Sequence, residues 1–153
     1  MPSLHIIFAS TSGHTEHVVD VLRQALQTDR PEILVEQQRV EQAEPEDLVR
    51  GDIVILASGT WNTGSVEGQL NPHMHAFLRE RAATIDLHGK HVAVIGLGDE
   101  RYRYTARAAD HLETFVRTHG GVLLEPVLRI VNEPYGQEES VKKWGAALFS
   151  ALS

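Results

Sequence analysis

The sequence has no cysteine among its 153 residues, and this absence removes several kinds of chemistry at once. Disulfide scaffolds, thiolate metal sites, iron–sulfur clusters and cysteine nucleophiles all need that side chain. Any redox chemistry of this chain must therefore come from a bound cofactor.

Basic residues are also scarce. The chain has 14 lysines and arginines against 21 aspartates and glutamates, which gives a formal net charge of −7. Such a balance repels a phosphate backbone overall, so we expect no nucleic-acid partner. A need for solubility is enough to explain such a negative net charge. The same charge also suits docking to a basic patch on another protein.

Long hydrophobic runs are missing too. No stretch approaches the roughly 20 apolar residues of a membrane span, and the first five residues lack the basic start of a signal peptide. We therefore expect a cytoplasmic protein with no membrane contact. The hydrophobic share of 42% is typical of a globular protein. The length favours one domain over residues 1–153, which we expect to be monomeric.

What is present is an alternation of strand and helix patterns. Runs rich in β-branched residues predict buried strands at residues 4–9, 33–35, 53–57 and 92–97. Apolar residues at helical spacing predict helices through residues 18–26, 74–78, 109–116 and 141–152. This alternation predicts an α/β fold with a parallel sheet and helices on both faces.

Two segments fit the alternation less simply. A fifth strand is predicted over residues 122–130, but Pro126 interrupts it and favours an edge strand or a bulge. Residues 41–50 are acidic and contain Pro45, so we expect a loop with a short helix there.

The first strand is followed by residues 10–15, which carry four hydroxyls and a glycine directly before a helix. Hydroxyls and backbone N–H groups at a helix N-terminus can bind a phosphate, although a simple capping loop has the same composition. No Gly-Lys pair followed by Ser or Thr is present, which disfavours ATP or GTP hydrolysis.

Two further loops carry aromatic residues. Trp61 stands among small residues after the third strand, where it either reaches a ligand or folds back onto the core. Tyr102 and Tyr104 follow the fourth strand, in a loop where Arg101 excludes a G-x-G-x-x-G fingerprint. In a sheet of strand order 2-1-3-4-5, these three loops converge at one ligand-binding edge.

Together the three loops resemble the signature of the flavodoxin family, whose fold is the standard example of that strand order with FMN at the edge. Residues 10–15 resemble its phosphate loop, residues 61–64 the loop on the inner face of the flavin, and residues 98–104 the G-D-x-x-Y-x-Y loop on the outer face. Residues 120–139 leave no evident room for the insertion of long-chain members. The resemblance therefore implies a short-chain flavodoxin with a three-layer, doubly wound sheet of five parallel strands in the order 2-1-3-4-5.

The resemblance also implies a set of FMN-binding residues. They are Ser10, Thr11, Ser12, Gly13, His14, Thr15, Ser58, Gly59, Thr60, Trp61, Asn62, Thr63, Gly64, Gly96, Gly98, Asp99, Tyr102 and Tyr104. Trp61 and Tyr102 would sandwich the flavin ring. His14 and Thr105 depart from the family pattern, which usually has asparagine or a similar small residue at the first position and often a bulky apolar residue at the second.

The implied function is that of a low-potential one-electron carrier working through the semiquinone/hydroquinone couple of FMN. In the family, the peptide carbonyl matching that of Asn62 accepts a hydrogen bond from the reduced flavin. Arg101 and Arg103 are cations placed to ease the second reduction, unless they point into water. Partners would be a flavodoxin reductase-like donor and an unidentified acceptor, docked transiently.

Alternative functions stay open at this point. A flavin-dependent quinone or nitro reductase can use the same fold, although aromatics over both flavin faces would close the substrate space. A binding module without redox activity is a third alternative. The closely spaced pairs His73/His75 and His88/His91 suggest a metal site, but an interpretation as surface histidines explains them better. No catalytic residue is assigned.

Overall fold

The structure is a computed structural model that describes residues 2–11, 13–63, 66–98 and 107–150. The strands are β1 (Ser3–Ala9), β2 (Leu34–Arg39), β3 (Ile53–Thr63), β4 (Val66–Leu70), β5 (His91–Gly98), β6 (Val122–Leu123) and β7 (Leu128–Val131). The helices are α1 (His14–Asp29), α2 (Pro72–Ala76), α3 (Ala108–Thr118) and α4 (Glu138–Ser150). A π-helical turn, Phe77–Arg81, continues α2, and two 3-10 turns cover Val40–Gln42 and Pro45–Val49.

The main sheet is parallel and runs β2-β1-β3-β5, with β6 and β7 one after the other along the outer edge of β5. When β4 is set aside and the last two strands are counted as one, this is the predicted order 2-1-3-4-5. The predicted fold class is confirmed. The 3-10 turn at Pro45–Val49 likewise confirms the short helix expected in the acidic segment.

The fifth position of the sheet is occupied by two short strands. β6 pairs with residues 91–92 of β5, and β7 pairs with residues 95–98. Pro126 lies between them, where it has no N–H to offer the ladder. The predicted edge position of this interrupted strand is confirmed.

One element was not predicted. β3 continues beyond residue 57 to Thr63, and β4 folds back beside it as an antiparallel partner in which Thr60 faces Leu70 and Trp61 faces Gln69. Residues 58–70 lack the alternating apolar pattern by which a strand is predicted from sequence.

Two apolar layers cover the sheet, as the helical patterns predict. Val18 and Leu22 of α1 pack with Trp144 of α4 on one face. Met74 of α2 and Leu112 of α3 belong to the layer on the other face. No helix in the described part of the chain combines the length and apolar character needed to cross a membrane.

Candidate functional site

Strand register aligns the carboxyl-terminal parts of three strands at a single edge. Ala9 at the end of β1 pairs with Ser58, and Ser58 pairs with Gly96 on the other side. The chain therefore continues from these three residues at the same level of the sheet. This is the edge at which ligands bind in doubly wound sheets.

The loop after β1 is organised by the Ser10 hydroxyl. Its oxygen accepts hydrogen bonds from the N–H of Gly13 at 3.1 Å and of Glu16 at 3.3 Å. A hydroxyl that accepts two hydrogen bonds keeps one hydrogen to donate. Gly13 has φ 93°, in the left-handed region that favours glycine.

Helix α1 begins directly after this loop. Its first backbone bond runs from the N–H of His17 to the carbonyl of Gly13 at 2.9 Å. The N–H groups of His14 and Thr15 precede that bond and have no acceptor within the helix. Such a terminus attracts an anion through its free donors and its dipole.

Asn71 supports the site from below and was missed by the sequence analysis. It is fully buried, and its side-chain amide donates to the hydroxyl of Thr11 at 3.0 Å. Its carbonyl oxygen caps α2 by accepting from the N–H of His73 at 2.9 Å, and its own N–H donates to the hydroxyl of Ser58 at 3.1 Å. An asparagine before Pro72 is a helix-start signal, but not a sign of contact with the first loop.

Thr60 joins the second loop to the third. Its hydroxyl donates to the carbonyl of Leu97 at 2.7 Å and accepts from the N–H of Ala108 at 3.0 Å. Leu97 lies in β5 and Ala108 starts α3, so one side chain bonds to both flanks of the segment 99–106. Gly98 is also fixed, because its carbonyl accepts from the N–H of Asn132 at 2.6 Å.

Two of the predicted cofactor residues lie inside the scaffold. Ser58 is fully buried, and its hydroxyl donates to the carbonyl of Gly59 at 2.8 Å. Gly96 faces α3 so closely that a Cβ there would lie 2.5 Å from the backbone N of Ala109. The contacts of both residues are with the framework beneath the site.

The remaining predicted residues are described only in part. The backbone of Trp61, Asn62 and Thr63 forms the end of β3. The predictions for Ser12, Gly64, Asp99, Arg101, Tyr102, Arg103, Tyr104 and Thr105 lie outside the described residues.

An aromatic and charged group flanks the start of α1. The ring of Tyr135 lies 5.7 Å from that of His14 and 4.7 Å from that of His17. His17 Nε2 is 2.9 Å from the carboxylate of Glu138. This hydrogen bond, together with the backbone N–H groups of Glu138 and Gly136, holds the pKa of Glu138 below its usual range.

The histidine pairs do not join into a larger cluster. Among the residues that the structure describes, no three or more histidines, aspartates or glutamates gather in a way that could hold a metal ion. His73 and His75 lie in α2, and His91 starts β5.

Comparison with known proteins adds independent information. The family model described as Flavodoxin matches residues 6–144. Probable flavodoxin 2 of Bacillus subtilis (strain 168) is 33% identical over 142 residues, which cover 91% of this chain and 88% of that protein. The flavodoxin of Maridesulfovibrio salexigens is 31% identical over 144 residues, or 94% of each chain.

Solved structures agree with this likeness. The crystal structure of oxidised flavodoxin 1 from Bacillus cereus has a TM-score of 0.85 at 27% identity and covers 99% of both chains. That of oxidised flavodoxin 2 from the same organism has a TM-score of 0.84 at 29% identity, with 97% of this chain covered. The strand order, the family model that matches residues 6–144 and the relatives of similar length lead to one conclusion: the chain belongs to the flavodoxin family, as a short-chain member.

Proposed function

We propose that this protein binds one FMN non-covalently and carries single electrons between redox enzymes. Flavodoxins bind FMN and transfer electrons to partner proteins, and the chain belongs to that family over residues 6–144. The observation that carries the proposal is the loop between β1 and α1. There a left-handed Gly13 and the Ser10 hydroxyl lead into the free end of a helix.

The residues of this loop fit a flavin that ends in a phosphate. The Ser10 hydroxyl keeps a hydrogen to donate, and the N–H groups of His14 and Thr15 lack helical acceptors. These donors are suited to an anion, which the dipole of α1 favours. Bound FMN supplies the ring that accepts and releases electrons, and the segments after β3 and β5 would cover that ring.

The rest of the proposal concerns the form in which the protein works. We place residues 1–153 in one FMN-binding domain, which acts as a monomer in the cytoplasm. Its electron donor is a flavodoxin reductase-like protein, and docking to both donor and acceptor is transient.

The test begins with the cofactor itself. Mass spectrometry of the flavin released from the purified protein should identify FMN, and the apoprotein should bind FMN more tightly than riboflavin or FAD. Mainly FAD, or equal affinity for riboflavin and FMN, would contradict the role given to residues 10–15. Failure to bind any flavin would overturn the proposal as a whole.

A second measurement separates a carrier from a reductase. The FMN-loaded protein should be reduced slowly by NADPH alone in a stopped-flow instrument, and quickly once a flavodoxin reductase is added. Rapid reduction by NADPH, followed by turnover with a quinone or a nitroaromatic compound, would establish the enzyme alternative.

A further inference from the structure

Arg39, the last residue of β2, reaches across to the loop between β1 and α1. It pairs with Phe8 in the strand register, and its guanidinium carbon lies 5.5 Å from the centre of the Phe8 ring. The aromatic ring therefore supports the guanidinium from one side. This leaves the N–H groups of the guanidinium to bond at its edge.

Those N–H groups bond at both ends of the loop. Nη1 donates to the carbonyl of Ser10 at 3.0 Å, and Nη2 donates to the carboxylate of Glu16 at 3.1 Å. Ser10 begins the loop, and Glu16 lies in the first turn of the helix that follows it. The planar guanidinium thus fixes the spacing between the two ends of the loop.

The guanidinium of Arg39 also reinforces a hydrogen bond between Ser10 and Glu16. The Ser10 hydroxyl accepts from the N–H of Glu16 at 3.3 Å, so Ser10 and Glu16 are joined both directly and through Arg39. A lysine has no rigid pair of donors and would keep one contact at a time.

Charge gives Arg39 a second effect. The Glu16 carboxylate at the start of α1 suits the helix dipole, but it repels any other anion placed at that terminus. Arg39 pairs with this carboxylate and offsets its charge. The pair is about two-fifths exposed on each side, 37% for Arg39 and 38% for Glu16, so its effect is screened by salt.

We propose that Arg39 is the positioning residue of the phosphate loop, and that it sets the preference of the site for FMN over riboflavin. This inference rests on the proposed function. Arg39 acts through Ser10 and Glu16, and its effect is confined to the phosphate end of the ligand. Under the proposed function other segments would cover the flavin ring, so the affinity for riboflavin should not depend on Arg39.

The experiment compares dissociation constants of FMN and riboflavin at low salt for wild type, Arg39→Gln, Arg39→Lys and Glu16→Gln. Arg39→Gln should weaken FMN binding by about 10-fold, which is the usual effect of losing one charge-assisted hydrogen bond. Riboflavin affinity should stay within about 2-fold. Arg39→Lys should recover part of the loss. High salt should shrink the difference between wild type and Arg39→Gln.

A matched control is Arg30→Gln. Arg30 forms a similar exposed pair, with Glu32 at 2.6 Å, at the opposite end of α1. This variant removes the same charge and should leave both affinities unchanged. Urea unfolding of the apoproteins should show that Arg39→Gln and Arg30→Gln lower the free energy of unfolding by similar small amounts, since exposed ion pairs contribute little to stability.

Glu16→Gln keeps the test decisive if Arg39→Gln folds poorly. Removing the carboxylate abolishes its repulsion of a phosphate at this helix terminus, while Arg39 keeps its bond to the carbonyl of Ser10. FMN should therefore bind more tightly, while riboflavin affinity stays the same. If the ratio of FMN to riboflavin affinity is unchanged in both variants, whether or not both ligands bind more weakly, the inference is overturned. A wild-type protein that binds no FMN overturns the proposed function instead.

Discussion

The side-chain amide of Asn71 donates a hydrogen bond of 3.0 Å to the hydroxyl of Thr11, although 60 residues separate them. Asn71 is fully buried at the start of α2, while Thr11 lies in the exposed loop after β1. The buried framework therefore holds the loop between β1 and α1 directly. Loss of this contact should affect ligand binding and folding together.

We expect Asn71→Ala to lower the free energy of unfolding by about 1–3 kcal/mol, because it removes a helix cap and leaves buried groups without partners. FMN affinity should fall as well, since Thr11 loses its support. Urea unfolding of the apoprotein and titration with FMN measure the two effects.

Thr11→Val provides the control, because it removes the same hydrogen bond and leaves the cap of α2 intact. Its cost in stability should be smaller than that of Asn71→Ala. In the double variant, the losses in FMN affinity should be less than additive, as for two residues that share one contact. Fully additive losses would show that Asn71 and Thr11 act independently.

Gly96→Ala should destabilise the fold by about 1–3 kcal/mol, since the new Cβ would lie 2.5 Å from the backbone N of Ala109 and α3 would have to shift. Gly145→Ala is the comparison. Its Cβ would also lie 2.5 Å from another atom, but that atom is the movable Cδ1 of Leu22. The helix gains about 1 kcal/mol from alanine there, so little net change is expected. Equal losses in urea unfolding would contradict this distinction.

Glu138 should make folding stability depend on pH in the acid range. The hydrogen bond from His17 is the main reason that its pKa lies below the ordinary value of 4.5. A carboxyl whose pKa is lower in the folded chain stabilises the fold above the unfolded pKa, and this contribution is lost as the pH falls through the folded pKa. Glu138→Gln should therefore be less stable than wild type at pH 7, and the gap should close on acidification.

Urea unfolding from neutral to acidic pH tests this expectation. Glu139→Gln serves as the control, because it removes a neighbouring carboxylate that pairs with Lys142 at 3.5 Å. A gap between wild type and Glu138→Gln that stays constant at every pH would refute the prediction.

The aromatic residues of the second and third loops give a prediction about the flavin ring. Trp61→Ala and Tyr102→Ala should each weaken FMN binding by about 1–3 kcal/mol, the usual cost of losing one stacking partner. Riboflavin binding should be weakened equally, because the expected contact is with the flavin ring that both ligands share. Trp61→Phe should keep most of the affinity in a fluorescence titration. Unchanged affinity in both alanine variants would place these aromatics elsewhere.

The sequence could predict the elements whose signals are local. Buried strands such as β1 carry largely apolar runs that include β-branched residues, and Val18 and Leu22 of α1 follow the helical period into the core. Pro126 marked the interrupted edge strand for the same local reason.

What sequence patterns could not predict were contacts between distant residues. Asn71 reads only as a helix start, and its bond to Thr11 exists because the fold brings two loops together. Arg39 gives no local sign that it reaches back 29 residues to the carbonyl of Ser10. Polar residues are placed by their partners, and those partners are fixed only when the chain has folded.

The Thr60 hydroxyl bonds to both Leu97 and Ala108, so β3 holds the two elements that precede and follow residues 99–106. Both bonds are made to backbone atoms outside that segment. Substitutions within residues 99–106 therefore leave this link between β5 and α3 in place, and we expect them to change the free energy of unfolding of the apoprotein less than loss of the Thr60 hydroxyl does.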